Sequence, residues 1–187
     1  KAIEGVADEN EWTYIRKGGG RLTVSLSVTA LFDADGAISG YVGVARDIRE
    51  EQAVVQRLRL AEQVFESAGE AILVTDSDCR IIDVNPAYLE ITGFDREEVI
   101  GATPAIVKSG RHDAEFYRAM WQDIEQTGRW SGELWDRRRN GELFLQWLTI
   151  NVIRDEAGRI SNYVGIFKDF TQQKVTEQKL EQMAYYD

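Results

Sequence analysis

Six side chains in this sequence combine hydrogen-bonding or aromatic chemistry with positions inside apolar patterns: Asn85, His112, Phe116, Trp121, Trp130 and Gln146. Asn85 and Gln146, with Asn151, each carry a donor and an acceptor on one compact amide, a pair of functions suited to reading the polar edge of a ligand. Asn85 stands before a proline at a helix start, so it also reads as a plain N-cap. Phe116, Trp121 and Trp130 offer ring faces that could wall a slot or pack a core. His112 is the single histidine and opens a helix expected over about 113–126. No Ser-His-Asp spacing surrounds it, and no nucleophile stands beside it. Cys79 is the single cysteine, which excludes an internal disulfide and a cysteine zinc site; it lies in a turn and reads as a passive thiol. Asp76, Asp78 and Asp83 sit in a hairpin without calcium-loop spacing and read as turn formers. The chemistry on offer is binding rather than catalysis, and these residues are expected not to form an enzyme.

Bulk properties narrow the partners. The net charge of -10, from 22 basic and 32 acidic residues, disfavours nucleic acid. Arg137-Arg138-Arg139 is too short to reverse this and reads as a solvated strand end. No run of 18 apolar residues exists to cross a membrane. One cysteine and the lack of a signal peptide fit a cytoplasmic chain. The chain starts in mid-pattern and reads as an excised piece of a longer protein, whose membrane anchor could lie elsewhere.

An internal repeat organises the chain. Residues 11–48 align without a gap on residues 133–170, a shift of 122 positions. Arg16 meets Arg138, Gly19 meets Gly141, Leu26 meets Leu148, Tyr41-Val42-Gly43 meets Tyr163-Val164-Gly165, and Asp47 meets Asp169. Each copy predicts three antiparallel strands, since Leu22, Val24, Leu26 and Val28 alternate with polar residues. That apolar face in the first copy, exposed by the missing front half, is expected to be covered by another chain or by the helix that follows. Asn140-Gly141 signals a two-residue hairpin. Between the copies, Val54, Leu58, Ala61 and Phe65 are spaced as a coiled-coil seam on a helix over about 49–67, which predicts a parallel dimer. Strands are expected at 71–75 and 80–84, helices from Asn85-Pro86, from the cap Asp95 and over about 113–126, and a final helix after Phe170.

The order is strand, strand, several helices, then three strands. It predicts an α+β fold, one five-stranded antiparallel sheet with helices on one face and a pocket between, preceded by a three-stranded half domain and a linker helix.

AILVTDSDCRIIDVNPAYLEITGFDREEVIGATP resembles the opening half of a PAS domain, and GRWSGELWDRRRNGELFLQWLTINVIRDEAGRISNYVGIFKDFT its closing half. The resemblance covers about 100 of the 187 residues, and residues 11–48 add a second closing half. It implies one complete PAS fold at 68–170, a PAS fragment at 1–48, a linker helix at 49–67 and a signalling helix at 171–187. Residues 111–141 are similar to flavin-binding PAS domains of aerotaxis receptors and of the redox regulator of nitrogen fixation, through Arg111-His112-Asp113, Trp121, Trp130-Ser131-Gly132 and Arg137 to Gly141. That implies FAD in a slot of Trp130, Trp121 and Phe116, with amides from Asn85, Gln146 and Asn151. Haem-binding PAS sensors place their histidine in a similar stretch, so haem on His112 stands as a second possibility. A light-sensing cysteine adduct is not expected, because Cys79 lies in the wrong element. Set against every ligand is a core that the tryptophans simply pack, which is the reading the residues favour. LEQMAYYD resembles the run-in to a diguanylate cyclase (GGDEF) domain.

The expected function is a sensory and homodimerising module of a bacterial signalling protein, controlling a cyclic di-GMP cyclase or phosphodiesterase in response to a ligand or redox state. The alternatives are a ligand-free interaction scaffold and the PAS sensor of a histidine kinase.

Overall fold

The structure, a computed structural model, describes residues 8–184. It divides inside the linker helix into two compact units, Lys1–Glu62 and Gln63–Asp187.

In the first unit, strands β1 (Asp8–Ile15), β2 (Arg21–Phe32) and β3 (Ile38–Asp47) form an antiparallel sheet in that order. The period-2 pattern of β2 is the cause: Val24 pairs with Trp12 and Asp47, and Val28 with Gly43. The expected apolar face is partly enclosed within the described residues. Val24 is buried, and Leu22, Leu26 and Val28 are half-buried. The exposed apolar groups on that face are its aromatic flanks, Trp12 and Tyr14 from β1 and Tyr41 from β3. Helix α1 (Arg49–Ser67) starts after Asp47, whose carboxylate accepts from the Arg49 N–H. No α1 residue is buried. Val54 and Leu58 of the expected seam are exposed, but so are Val55, Leu60 and Val64, making the apolar stripe wider than one heptad seam.

The second unit is α+β, with a five-stranded antiparallel sheet in the order β5-β4-β8-β7-β6. The strands are β4 (Ala71–Asp76), β5 (Ile81–Val84), β6 (Arg129–Arg137), β7 (Leu143–Arg154) and β8 (Ile160–Asp169). Helices α2 (Pro86–Thr92), α3 (Arg96–Val99) and α4 (Ala114–Thr127), with a 3-10 turn at Pro104–Val107, connect β5 to β6; α5 (Thr171–Ala184) leaves after β8. Each start has a local cause. Asn85 caps α2 by accepting from the Tyr88 N–H, Asp113 caps α4 by accepting from the Phe116 N–H, and Asp95 with Glu98 forms a capping box for α3. Met120 and Ile124 are the buried face of α4. The core joins Leu73, Tyr88, Leu134, Phe144, Leu148 and Phe167 from sheet and helices.

Five hairpins share one turn geometry. In each, the first residue's N–H reaches the fifth residue's carbonyl, and the fourth residue's N–H reaches the first: Arg16–Gly20, Asp33–Ala37, Asp76–Arg80, Arg138–Glu142 and Asp155–Arg159. The loop at Asn140-Gly141 is therefore three residues long, not two, because Gly141 takes the left-handed position that follows a common turn. Glycine holds the corresponding place in four of the five; in the other it is Cys79, at φ 59°. A left-handed backbone costs a side-chain-bearing residue roughly 1–2 kcal/mol. Gly158→Ala, with open space around the added methyl, should therefore lower stability by about 1 kcal/mol. Cys79→Gly should raise it by about 0.5–1 kcal/mol. Denaturant midpoints of the two variants check the pair.

Candidate functional site

A cavity of about 330 Å³ lies between the inner face of the second unit's sheet and the helical layer, lined by α2, the 3-10 turn and α4. That volume is at the lower end of the range for small-ligand sites, about 300–1,000 Å³. Most of its wall is apolar: Leu73, Val107, Met120, Leu134, Leu148 and Phe167, with Tyr88, Tyr117 and Trp121 contributing rings. Asp136 and Gln146 are the polar exceptions in the sheet floor.

Strand register brings these two together. Gln146 lies opposite Leu134, and Asp136 opposite Phe144. Asp136 and Gln146 are thus diagonal neighbours on one face, within reach of each other. Gln146 Nε2 donates to Asp136 Oδ2 at 2.7 Å. Both residues are almost fully enclosed, at 4% and 2% exposure. Burial pushes the Asp136 carboxyl up to about 7. Three buried polar atoms in this wall have no protein partner: Gln146 Oε1 and the hydroxyls of Tyr88 and Tyr117. Burial, and secondarily the charge of Asp136, raises both phenols, so they stay neutral donors. The Lys108 ammonium lies 3.9 Å over the Tyr117 ring.

The six residues singled out by sequence separate into two groups. Gln146 and Trp121 line the cavity, and Trp121 meets Tyr163 edge-on at 5.5 Å. Asn85 is buried outside the lining, with its amide committed to backbone. Its Oδ1 accepts from Ile72 at 2.8 Å and Tyr88 at 3.0 Å, and its Nδ2 donates to the Glu70 carbonyl at 2.9 Å and that of Phe65 at 3.3 Å. His112, Phe116 and Trp130 form a separate aromatic cluster: His112 stacks on Phe116 at 4.2 Å, and Trp130 meets Phe116 edge-on at 6.1 Å. His112 Nε2 accepts from the Trp135 N–H at 2.9 Å, and burial lowers the pKa of the ring. A neutral imidazole whose Nε2 is already engaged is a poor iron ligand. Trp130 folds over Gly132, where a Cβ would lie 2.8 Å from its ring. Asn151 lies outside the cavity lining too. Cys79 does line it, with its thiol raised by burial and by Asp76 and Asp78, which suits the passive reading.

Sequence reasoning missed Asp136, Tyr88, Tyr117 and Arg138. The signal for Asp136 and Tyr88 was the inner-face alternation of β6 and the first turn of α2. Arg138 corrects the reading of Arg137-Arg138-Arg139 as a solvated strand end. Its side chain is largely buried, pairs with Asp169, donates to the Ile91 carbonyl and lies over the Phe144 ring at 4.7 Å. Arg139 pairs with Asp95 and Glu98, each at 2.9 Å. Asp169 also accepts from the Thr171 N–H and hydroxyl at the start of α5. Thr171 Oγ1 in turn accepts from the Leu145 N–H at 2.8 Å, and the Leu145 carbonyl accepts from the Phe170 N–H. One residue of β7, Leu145 next to Gln146, therefore holds the first turn of α5. Among the described residues, no cluster of three or more His, Cys, Asp or Glu side chains is placed to hold a metal, and no helix is long and apolar enough to cross a membrane.

A family model for the PAS fold matches residues 59–170, and a PAS domain model matches residues 1–50. The nitrogen fixation regulatory protein of Klebsiella oxytoca is 31% identical over 117 residues, 63% of this chain and 24% of that protein. Blue-light-activated histidine kinase 1 of Erythrobacter litoralis is 27% identical over 129 residues, 67% of this chain and 34% of that one. The chain thus spans about a quarter to a third of these relatives. Among solved structures, a PAS domain from Colwellia psychrerythraea superposes with a TM-score of 0.58 at 25% identity, covering 62% of this chain and 98% of that one.

Asp136 generates a pH test. Its carboxyl is harder to ionise in the folded chain than in the unfolded one, so the folded state binds more protons between about pH 4 and pH 7. Its contribution is intact below about pH 4 and is lost as pH rises through about 7, on the order of 4 kcal/mol. Asp136→Asn should remove that slope, gaining stability over wild type at about pH 8 and little at about pH 4. Urea unfolding across the range measures it; parallel pH profiles for the two proteins would exclude a buried titrating carboxyl.

Proposed function

The chain belongs to the PAS-fold family, and we propose that its second unit is a sensor holding a planar, amide-edged ligand of the flavin type, FAD, whose state is passed to α5. The observation that carries this reading is the set of buried, unpartnered polar atoms in an apolar cavity: Gln146 Oε1 and the Tyr88 and Tyr117 hydroxyls. Each such atom costs about 1–3 kcal/mol when left unmade. A core selected only for packing would carry apolar groups there. A ring with carbonyl and N–H groups along one edge would pair them. Gln146, Tyr88, Tyr117 and Asp136 would hold that edge, and Trp121 with the aliphatic wall would enclose the ring. A bound flavin would supply electron-transfer and light-absorbing chemistry. The chain's own residues bind, orient and exclude water. Haem is disfavoured by the engaged Nε2 of His112.

The route outward runs along β7. A shift of Gln146 moves Leu145, whose N–H and carbonyl hold Thr171 and Phe170. Asp169, anchored by Arg138, caps the same turn. In this reading, residues 68–170 are the complete sensing domain, 1–48 the closing half of another, 49–67 a linker and 171–187 the segment of the signalling helix, with 1–7 and 185–187 outside the described residues. The exposed stripe of α1, with Val54, Leu58 and Val64, is the proposed homodimer contact. The output is proposed as a diguanylate cyclase or cyclic di-GMP phosphodiesterase, on the strength of LEQMAYYD, whose last three residues lie outside the described residues. A histidine kinase output is a second reading, favoured by the relative of that name.

Purified protein should absorb near 450 nm, a typical oxidised-flavin band, and release FAD on denaturation. FAD should also slow amide exchange in the first turn of α5 relative to the ligand-free chain. Protein that stays colourless and fails to bind added FAD would overturn the flavin reading and favour a ligand-free scaffold. Light scattering should give a dimer that Leu58→Glu converts to monomer; a monomeric wild-type chain would exclude the α1 contact.

A further inference from the structure

The Gln146 amide has two ends of nearly equal size and opposite hydrogen-bonding character. One end is committed, because Nε2 donates to Asp136 Oδ2 at 2.7 Å. The other end, Oε1, is buried in the cavity wall without a partner. An ionised Asp136 only accepts, so it holds the amide nitrogen toward itself and leaves the oxygen to the cavity. A protonated Asp136 carries an O–H that can donate to Oε1, and the amide then presents its nitrogen to the cavity instead.

We propose that the protonation of Asp136 decides which end of the Gln146 amide faces the cavity, and so whether the wall offers a planar heteroaromatic ligand an acceptor or a donor. The amide inversion is a property of the chain without ligand; only its consequence for affinity rests on the flavin reading. The proton comes from solvent, and no covalent bond other than the Asp136 O–H forms or breaks.

Among the side chains lining the cavity, Asp136 is the group that changes charge near neutrality; His112, bonded to the Trp135 N–H beside it, lies outside the lining. Tyr88 from α2 and Tyr117 from α4 face the same space, and both phenols are raised, chiefly by burial. Cys79, from the β4–β5 turn, is raised as well. Lys108, the basic side chain among the lining residues, directs its ammonium at the Tyr117 ring rather than into an ion pair with Asp136. Burial places the Asp136 midpoint at about 7. Both amide orientations are thus populated within a narrow range around neutral pH, and each satisfies a different ligand edge.

The test is a nitrogen–proton NMR titration of the ligand-free chain from about pH 5.5 to about pH 8.5, spanning the carboxyl's midpoint. The Gln146 side-chain signal is assigned by its loss in Gln146→Leu. It should titrate with the same midpoint as the Asp136 carboxyl carbon and should stay fixed in Asp136→Asn. A Gln146 signal that does not move in wild type overturns the inversion, and this requires no variant to fold. FAD is the ligand probe. Its dissociation constant should differ about 3- to 10-fold between the ends of the range in wild type, the effect of one hydrogen bond, and not in Asp136→Asn. Equal affinity at both ends overturns the ligand consequence while the flavin reading stands. Absence of FAD binding at every pH overturns the flavin reading, and the NMR result still decides the inversion.

Discussion

Asn85 joins segments that local preferences alone would leave apart. Its one buried amide accepts from β4 at Ile72 and from the first turn of α2 at Tyr88, and donates to carbonyls at the end of α1 and just before β4. The edge strand β5 is only four residues long, and its ladder with β4 shifts register after Val74. Backbone groups left over there would be buried without partners, a cost comparable to a lost hydrogen bond for each. Asn85 supplies those partners and thereby sets where α2 crosses the sheet. The position of α2 in turn decides that Tyr88 reaches the inner face.

With that frame in place, the inner face can carry polarity that packing alone would reject. Asp136 and Gln146 satisfy each other once and leave the remaining capacity facing a cavity. The enclosed site strengthens such interactions by excluding water, and it also brings the carboxyl into the physiological titration range. At the same end of β7, in the turn that leads into it, the largely buried guanidinium of Arg138 ties the end of α2, the β6–β7 hairpin and the start of α5 into one network with Asp169 and Thr171. The site and the exit helix therefore meet at adjacent residues of one strand, Gln146 and Leu145.

Much of this architecture was legible in the residues. The repeat between 11–48 and 133–170 located six of the eight strands, and α1 starts and stops where its polar-apolar pattern does. Asn85, Asp95 and Asp113 marked helix starts because a cap is a local interaction, readable within four residues. Asp136 was not legible as a site residue, because in Leu-Trp-Asp-Arg-Arg-Arg it looks like the start of a charged strand end. Arg138 was hidden in the same run, although Arg137 beside it is exposed and Arg139 makes surface ion pairs. His112 and Trp130 looked like cofactor groups, yet they pack on Phe116 away from the cavity.

The sequence by itself determined the elements, their order, the antiparallel pairing within each repeat and the family of folds they belong to. These follow from periodicity, capping and turn chemistry, all of which act between near neighbours in the chain. Only the tertiary structure decided which polar groups share an enclosed space. Gln146 reaches Asp136 across a strand pair, the tyrosines arrive from two helices far apart in sequence, and the unpaired state of their polar atoms exists only once all four are buried together. Burial and diagonal register are properties of the assembled sheet and its helical cover, so the chemistry of the cavity is set by folding rather than by any local run of residues.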